Sequence, residues 1–188
     1  MNLENQRMER EKEALYWLSR IPFLGSVTVG RMRSCTESYE EIYNIEGKTW
    51  EARGILSPDK ARRMETERGK IKEALEEYHS LAGRGIRFIT ILDQDYPERF
   101  QGLEGRPLWL SVRGRLPDSH RPALAIIGSR SATRYGMEIA ECFGRELAKE
   151  GIQIISGLAA GIDGAGQKGA VEGGGDTYGV LGCGINIC

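Results

Sequence analysis

Two short apolar runs, each followed by a glycine- and serine-containing turn and then by a helical pattern, constrain the fold more than any other feature of this chain. The runs occupy residues 123–127 and 152–155, although Gln153 interrupts the second. Continuous apolar runs of this length are typical of strands that are buried on both faces of a sheet. After Tyr135 the apolar residues follow helical spacing as far as Ala148, and Gly151 stands where a helix would end. The sequence therefore predicts an α/β fold in which a right-handed helical crossover joins two parallel strands.

The turns that follow the two predicted strands carry side chains suited to an anion. We call residues 128–131 (Gly-Ser-Arg-Ser) the arginine turn and residues 156–159 (Ser-Gly-Leu-Ala) the serine turn. Ligands bind beyond the carboxyl ends of parallel strands, where glycines allow close approach and helix N-termini favour negative charge. The serine hydroxyls add donors, and Arg130 adds a planar guanidinium that matches phosphate. The pattern predicts a phosphate site; the alternative is a pair of tight packing turns with a solvated arginine.

Four segments of the chain resemble the DNA-processing protein A (DprA/Smf) family, and they occur in the order that the family has. They are residues 89–97 (Ile-Thr-Ile-Leu-Asp-Gln-Asp-Tyr-Pro), 128–136 (Gly-Ser-Arg with a later Tyr-Gly), 156–163 (Ser-Gly-Leu-Ala-Ala-Gly-Ile-Asp) and 180–184 (Val-Leu-Gly-Cys-Gly). Together they span most of the chain from Ile86 onwards. Residues 165–167 depart from the family, because they read Ala-Gly-Gln where the family typically has Ala-Ala-His.

The resemblance implies a non-enzymatic, cytoplasmic protein that binds single-stranded DNA. Family members protect incoming DNA and assist loading of the recombinase RecA during natural transformation, and full-length members usually form homodimers. Their fold is an extended, mostly parallel Rossmann-like sheet, and no cofactor or metal is implied. Combined with the turn chemistry, the resemblance predicts a DNA- and phosphate-binding set of Gly128, Ser129, Arg130, Ser131, Thr133, Tyr135, Ser156, Gly157 and Lys168.

The second predicted helix, which carries Asp163 and Lys168, is rich in alanine and glycine. Glycine disfavours a helix by roughly 1 kcal/mol relative to alanine, so such a helix needs a reason such as close approach to the sheet or to a ligand. Asp163 either fixes a turn by accepting hydrogen bonds from backbone amides or faces a ligand, and we favour the structural role. Lys168 either reaches DNA phosphate or is solvated.

Two other functional classes remain open from the sequence. One is a nucleotide-processing enzyme on a similar scaffold, such as a phosphoribohydrolase of the lysine-decarboxylase-like group. Residues 173–176 lack the proline, threonine and glutamate of that group's Pro-Gly-Gly-x-Gly-Thr-x-x-Glu loop. The other class is a helical interaction module formed by residues 1–81. NAD binding is not predicted, because Ile187 occupies the place of the third glycine in a dinucleotide fingerprint that begins at Gly182.

Charge and composition narrow the classes of partner. The 26 basic and 27 acidic residues nearly balance, so a nucleic acid has to meet a local basic patch. Four cysteines without a Cys-x-x-Cys pair, and only two histidines, predict free thiols rather than a structural zinc site. The polar N-terminus lacks the apolar run of a signal peptide, and no stretch has membrane-spanning length. These features predict a cytoplasmic protein with no membrane partner.

The sequence predicts two domains. Residues 1–82 have helical patterns, with a strong helix start at Ser57-Pro58, and residues 21–28 resemble one unit of a helix-hairpin-helix or SAM-like domain. Phe23 stands where such a hairpin usually has glycine, so a packing hairpin is favoured over a DNA-binding one. Residues 83–188 form the predicted Rossmann-like DNA-binding domain. Residues 86–92 and 108–112 are predicted strands, and the family resemblance implies that they extend the sheet. Because a helix and further strands are expected after Gly184, we expect this domain to be incomplete.

Overall fold

The computed structural model describes residues 3–185, which form two compact units. The first unit ends at Gly114 and the second begins at Arg115. Ile187, the third glycine position of that fingerprint, lies outside the described residues. The described cysteines are free and exposed: Cys35, Cys142 and Cys183. Among the helices of residues 3–185, none combines the length and the apolar character needed to cross a membrane.

The first unit is mainly helical and packs around two tryptophans. Its helices are α1 (Leu3–Arg20), α2 (Ser26–Arg33), α3 (Tyr39–Asn44), α4 (Gly47–Ala52), α5 (Pro58–Arg68) and α6 (Ile71–Ser80), with 3-10 turns at Ala82–Arg84 and Glu98–Phe100. Trp17 and Trp50 are fully buried. The Ser57 hydroxyl accepts a hydrogen bond from the Lys60 amide, which confirms the predicted start of α5.

The turn between α1 and α2 packs inside the first unit. Ile21 is buried, and the Arg63 guanidinium carbon lies 4.9 Å from the centroid of the Phe23 ring. At the start of α2 the Ser26 hydroxyl accepts a hydrogen bond from the Leu108 amide at 3.2 Å. These contacts support the packing hairpin that the sequence favoured.

Strands β1 (Ile86–Thr90) and β2 (Trp109–Arg113) pair antiparallel and belong to the first unit. The prediction that they extend the parallel sheet is wrong, because the described strands form two separate sheets. Aromatic packing explains the difference. The Phe88 ring meets the Tyr16 ring of α1 edge-on at 5.0 Å and the Tyr78 ring of α6 at 6.1 Å. The β1–β2 pair therefore packs on the helices of the first unit. The domain boundary predicted after residue 82 consequently falls inside that unit.

The second unit is a parallel α/β layer. Its elements are β3 (Ala123–Ala125), α7 (Arg134–Lys149), β4 (Gln153–Ser156), α8 (Ile162–Glu172) and β5 (Thr177–Gly179). The strands lie in the order β3-β4-β5, and both neighbouring pairs are parallel. Ala123 pairs with Gln153, and Ile154 pairs with Thr177. The predicted α/β fold with a parallel sheet is thus confirmed, and all three strands end on the edge that carries the arginine and serine turns.

Gln153, which interrupts the second apolar run, is buried and links the sheet to the connector before β3 by hydrogen bonds. Its side-chain oxygen accepts a hydrogen bond from the Asp118 amide at 2.8 Å. Its side-chain nitrogen donates to the carbonyl oxygens of Asp118 at 2.9 Å and Arg121 at 3.3 Å. Because its polar atoms are satisfied in this way, the residue can be completely buried in a strand.

Glycines allow α7 and α8 to pack with their backbones in contact. A Cβ atom added to Gly144 would lie 2.0 Å from the Gly166 carbonyl oxygen, and one added to Gly169 would lie 2.0 Å from the Glu141 carbonyl oxygen. On the sheet side, a Cβ at Gly166 would lie 2.6 Å from the Ile126 side chain. The glycine-rich composition of α8 is therefore explained by close approach to α7 and to the sheet.

Candidate functional site

The arginine and serine turns meet at one buried carboxylate. Asp163, the second residue of α8, is only 6% exposed. Its Oδ1 accepts a hydrogen bond from the Gly128 amide and its Oδ2 accepts one from the Gly157 amide, both at 3.0 Å. Asp163 therefore has the structural role that the sequence favoured. Its carboxylate links the two turns that follow the neighbouring strands β3 and β4.

The arginine turn rests directly on the start of α8. The Ile162 amide donates to the Ser129 carbonyl oxygen at 3.2 Å. Gly161, which precedes the helix, has φ of 88°, and a Cβ there would lie 2.2 Å from that same oxygen. A Cβ at Gly128 would lie 2.8 Å from the Ile162 side chain. Glycine is required at both positions, because any side chain would push the turn off the helix.

The outer side of the arginine turn faces solvent. Ser129, Arg130 and Ser131 are exposed, and the Ser131 amide donates to the Ser129 hydroxyl at 3.1 Å. Among the described residues, no carboxylate forms an ion pair with Arg130. The guanidinium and the hydroxyl groups of this turn are therefore available to an anion.

The start of α7 continues this exposed surface. Thr133 caps the helix, since its hydroxyl accepts a hydrogen bond from the Gly136 amide at 3.1 Å. The Tyr135 side chain, in the first turn of the helix, is 73% exposed. The helix N-terminus adds partial positive charge beside the arginine turn. The structure thus brings Gly128, Ser129, Arg130, Ser131, Thr133 and Tyr135 together along one continuous stretch of chain.

The Ser156 hydroxyl and the Gly157 amide form hydrogen bonds inside the second unit and do not face solvent. The Ser156 side chain is 3% exposed, and its hydroxyl donates to the Ile126 carbonyl oxygen at 2.6 Å. The Gly157 amide is bonded to Asp163. The sequence predicted a phosphate contact at Ser156. In the structure its hydroxyl is instead used to tie β4 to the end of β3.

Leu158 is a feature of the serine turn that sequence reasoning missed. Its φ of 55° lies in the left-handed region, which leucine rarely occupies, and its side chain is 57% exposed. Hydrogen bonds on either side hold this conformation, from Gly157 to Asp163 and from the Gly164 amide to the Ala159 carbonyl oxygen at 3.0 Å. No pattern in the sequence marks this residue.

Lys168 lies in the second half of α8, in an ion-pair network between α7 and α8. Its amino group is 3.0 Å from the Glu141 carboxylate and 3.5 Å from the Glu172 carboxylate. Arg145 pairs with the same two acids, at 3.0 and 2.7 Å. The hydrogen bond with Glu141 raises the pKa of Lys168 above its ordinary value. The charge of Lys168 is thus neutralised by two carboxylates. For the predicted contact with DNA, a phosphate would have to replace one of these carboxylates.

The occupied amides limit the kind of anion that this site can bind. A pyrophosphate cradle needs backbone amides that point at the ligand. Here the Gly128 and Gly157 amides point at Asp163, whose negative charge opposes an anion placed between the two turns. An anion can still meet the outer side chains of the arginine turn and the start of α7. That geometry suits a phosphate that passes over the surface of the protein.

The loop considered for a phosphoribohydrolase lies at the opposite end of the sheet. Asp176 precedes β5, and its carboxylate pairs with Arg115 at 3.4 Å and with Arg121 at 2.5 Å. These ion pairs tie β5 to the connector before β3. No observation in the described part of the chain brings this loop to the strand ends.

One group of side chains in the first unit has atoms of the kind that bind metals. Glu9, Glu13 and His79 place one possible ligand atom each within 4.8 Å of one another, on α1 and α6. His79 Nε2 lies 3.0 Å from Glu13 Oε1.

The buried Asp163 carboxylate should make the second unit sensitive to acid. The hydrogen bond from Gly128, helped by that from Gly157, holds the pKa of Asp163 below its ordinary value although burial acts in the other direction. A carboxyl with a depressed folded-state pKa stabilises the fold above its ordinary pKa, and this stabilisation is lost as the pH falls through the folded pKa. We expect the thermal midpoint of the wild-type protein to fall more steeply than that of Asp163→Asn as the pH is lowered from about 5 to about 2. Parallel pH profiles of the two proteins would contradict this role of the carboxylate.

Comparison with known proteins agrees with this architecture. The family model described as DNA recombination-mediator protein A matches residues 87–188. The chain is 40% identical over 91 residues to protein Smf of Escherichia coli, which is 48% of this chain and 24% of that protein. It is 29% identical over 192 residues to protein Smf of Synechocystis sp., which is 93% of this chain and 45% of that protein. The chain therefore spans less than half the length of these curated relatives.

A solved structure shares the fold. The X-ray structure of DNA processing protein A (DprA) from Streptococcus pneumoniae matches with a TM-score of 0.70 and 23% sequence identity, over 94% of this chain and 59% of that chain. At this identity the match establishes the fold alone. The family model, in contrast, matches the sequence over more than half of the 188 residues and includes both turns of the site. The chain therefore belongs to the DNA recombination-mediator protein A family.

Proposed function

We propose that this chain binds single-stranded DNA on the outer side of the arginine turn and acts in DNA processing during recombination. The observation that carries the proposal is the exposed Ser129-Arg130-Ser131 segment, which Asp163 and the start of α8 hold at the carboxyl ends of the strands. A guanidinium with no described acidic partner, flanked by hydroxyl donors and a helix N-terminus, is suited to a backbone phosphate.

The proposed contacts divide into those that touch DNA and those that hold the site in shape. Arg130 binds a phosphate, with the hydroxyls of Ser129 and Ser131 beside it. Thr133 shapes the start of α7, and the exposed Tyr135 ring stacks on a base. Gly128, Ser156 and Gly157 hold the two turns together. Lys168 flanks the site and contributes where a phosphate replaces Glu141, since exposed ion pairs are weak.

The same features favour a single strand over a duplex. The net charge of −1 provides little general attraction to DNA, so binding depends on local contacts. Stacking on Tyr135 needs a base that is free of its partner, which single-stranded DNA offers and a duplex does not. A flexible sugar–phosphate chain can also follow the short distance from the arginine turn to the start of α7.

The family supports the wider role that we propose. Its description as a recombination mediator, and the DNA-processing names of the relatives, support a role in handling DNA. Within the proposal the protein has no catalytic activity. Within the proposal, the protein acts in the cytoplasm, protects incoming DNA during natural transformation and assists loading of RecA. Homodimerisation of the full-length family member is part of the same proposal.

The proposed function is tested by titrating the wild-type protein into a fluorescent dT oligonucleotide and measuring anisotropy. The logarithm of the binding constant should fall by about 0.7 per logarithmic unit of salt for each phosphate that is neutralised, measured between about 50 and 200 mM salt. A duplex of the same length is the control and should bind more weakly. Equal affinity for single- and double-stranded DNA, or no measurable binding, would contradict the proposal.

A further inference from the structure

A negative charge lies directly beneath the turn that is proposed to bind phosphate. Asp163 is buried, its carboxylate faces the arginine turn, and such a charge opposes binding of an anion above it. A buried charge is retained only if its partners compensate for the lost hydration. Its position therefore calls for a reason that is connected with the shape of the turn.

Each of the two carboxylate oxygens holds the backbone of one turn. Oδ1 accepts from the Gly128 amide and Oδ2 accepts from the Gly157 amide, each at 3.0 Å. Only a carboxylate offers two acceptor oxygens at this spacing. Asparagine has one acceptor oxygen, and its side-chain NH2 group would face a second N–H donor. The negative charge is thus needed for the geometry, even though it disfavours the proposed ligand.

The start of α8 attaches the arginine turn at two consecutive residues. The Gly128 amide is bonded to Asp163, and the Ser129 carbonyl oxygen accepts from the Ile162 amide at 3.2 Å. Both attachments come immediately before Arg130 in the chain. The backbone that carries the guanidinium is therefore held from the inside of the molecule, while its side chain lies outside.

From these contacts we infer that Asp163 is a positioning residue for DNA binding, which sets the direction of Arg130 without touching DNA. The inference rests on the function proposed above. Loss of the carboxylate should release the Gly128 amide and let the arginine turn move away from α8. Arg130 would then have to be ordered at the moment of binding, at a cost in affinity.

The test is a double-mutant cycle with Asp163→Asn and Arg130→Ala, read by anisotropy of a dT oligonucleotide. Asp163→Asn should weaken binding about tenfold, as expected when one charge-assisted phosphate contact is lost, although it removes a negative charge. It should also reduce the salt slope by about 0.7. The double variant should bind no more weakly than Arg130→Ala, because both substitutions remove the same contact.

A matched control removes the same charge elsewhere in the second unit. Asp176 lies at the amino end of β5, away from both turns. Asp176→Asn should therefore leave the affinity for the oligonucleotide within about twofold of wild type. Asp163→Glu keeps the charge but moves the oxygens, and should weaken binding as Asp163→Asn does. Circular dichroism checks that each variant is folded at the assay temperature.

The outcomes separate this inference from the proposed function. If the wild-type protein does not bind the oligonucleotide, both are overturned. If it binds and Asp163→Asn binds equally well, or if the effects of Asp163→Asn and Arg130→Ala add, the inference alone is overturned. Should neither Asp163 variant fold, amide hydrogen exchange of the wild-type protein decides: the Gly128 and Gly157 amides must be protected, and rapid exchange of both overturns the inference.

Discussion

Replacing Arg130 with alanine should weaken binding of single-stranded DNA by about ten- to a hundredfold, which corresponds to the loss of one hydrogen-bonded charge contact. The exposed guanidinium is the group in the arginine turn that carries a full positive charge, and the nearby hydroxyls cannot replace it. The salt slope should decrease by about 0.7, because one fewer counterion is released. Anisotropy titrations of both proteins at several salt concentrations measure the two quantities together.

Lys149→Ala is the matched control for this prediction. Lys149 is the last residue of α7, so its amino group lies at the far end of the helix from the arginine turn, where it pairs with Glu146 at 2.8 Å. The substitution changes the net charge of the protein by the same amount as Arg130→Ala. A change of affinity that depends only on net charge would appear equally in both variants. Such an outcome would remove Arg130 from the proposed contacts.

The meeting of the arginine and serine turns could be predicted from the sequence for a simple physical reason. Parallel strands joined by helical crossovers end on the same edge of a sheet, so the residues that follow each strand become neighbours. The apolar runs at residues 123–127 and 152–155 were sufficient to predict both strands. Asp163 could be given a structural role for the same reason, because a carboxylate near the start of a helix finds amide donors.

The position of β1 and β2 could not be predicted in this way. An apolar strand pattern indicates that one face will be buried, and it does not indicate what will bury it. Phe88 packs on Tyr16, which is 72 positions earlier in the sequence, and nothing local to either residue indicates that contact. The strands therefore belong with the helices before them, whereas the family resemblance had favoured the sheet that follows.

Ser156 and Lys168 show the same limit at the level of side chains. Their residue types suit a phosphate site, but the groups that engage them come from other elements. Ile126 accepts the hydrogen bond of Ser156 because β3 lies beside β4, and Glu141 meets Lys168 because α7 packs on α8. These partners are fixed by tertiary packing, so the residue types alone could not indicate the direction of each polar group.

Gly144→Ala should cost the second unit about 3 kcal/mol of stability, the upper part of the range for overpacked sites. Alanine is the better helix former, and on an exposed helix surface the exchange would stabilise by roughly 0.5–1 kcal/mol. At Gly144 the added Cβ would lie 2.0 Å from the Gly166 carbonyl oxygen and 3.2 Å from the Ala170 nitrogen. Both neighbours are backbone atoms, so no side chain can move aside and α7 must separate from α8. Amide hydrogen exchange in α7 and α8 measures the loss.

Gly30→Ala provides the opposite expectation for the same chemical change. Gly30 lies inside α2, and a Cβ there would meet no atom within 4 Å, so this variant should gain roughly 0.5–1 kcal/mol. The tryptophans of the chain, Trp17, Trp50 and Trp109, precede Gly114, so their fluorescence reports unfolding of the first unit for this control. Opposite signs for the two substitutions follow only if α7 and α8 touch through their backbones. If Gly144→Ala were as harmless as Gly30→Ala, the close backbone packing of α7 on α8 would be contradicted.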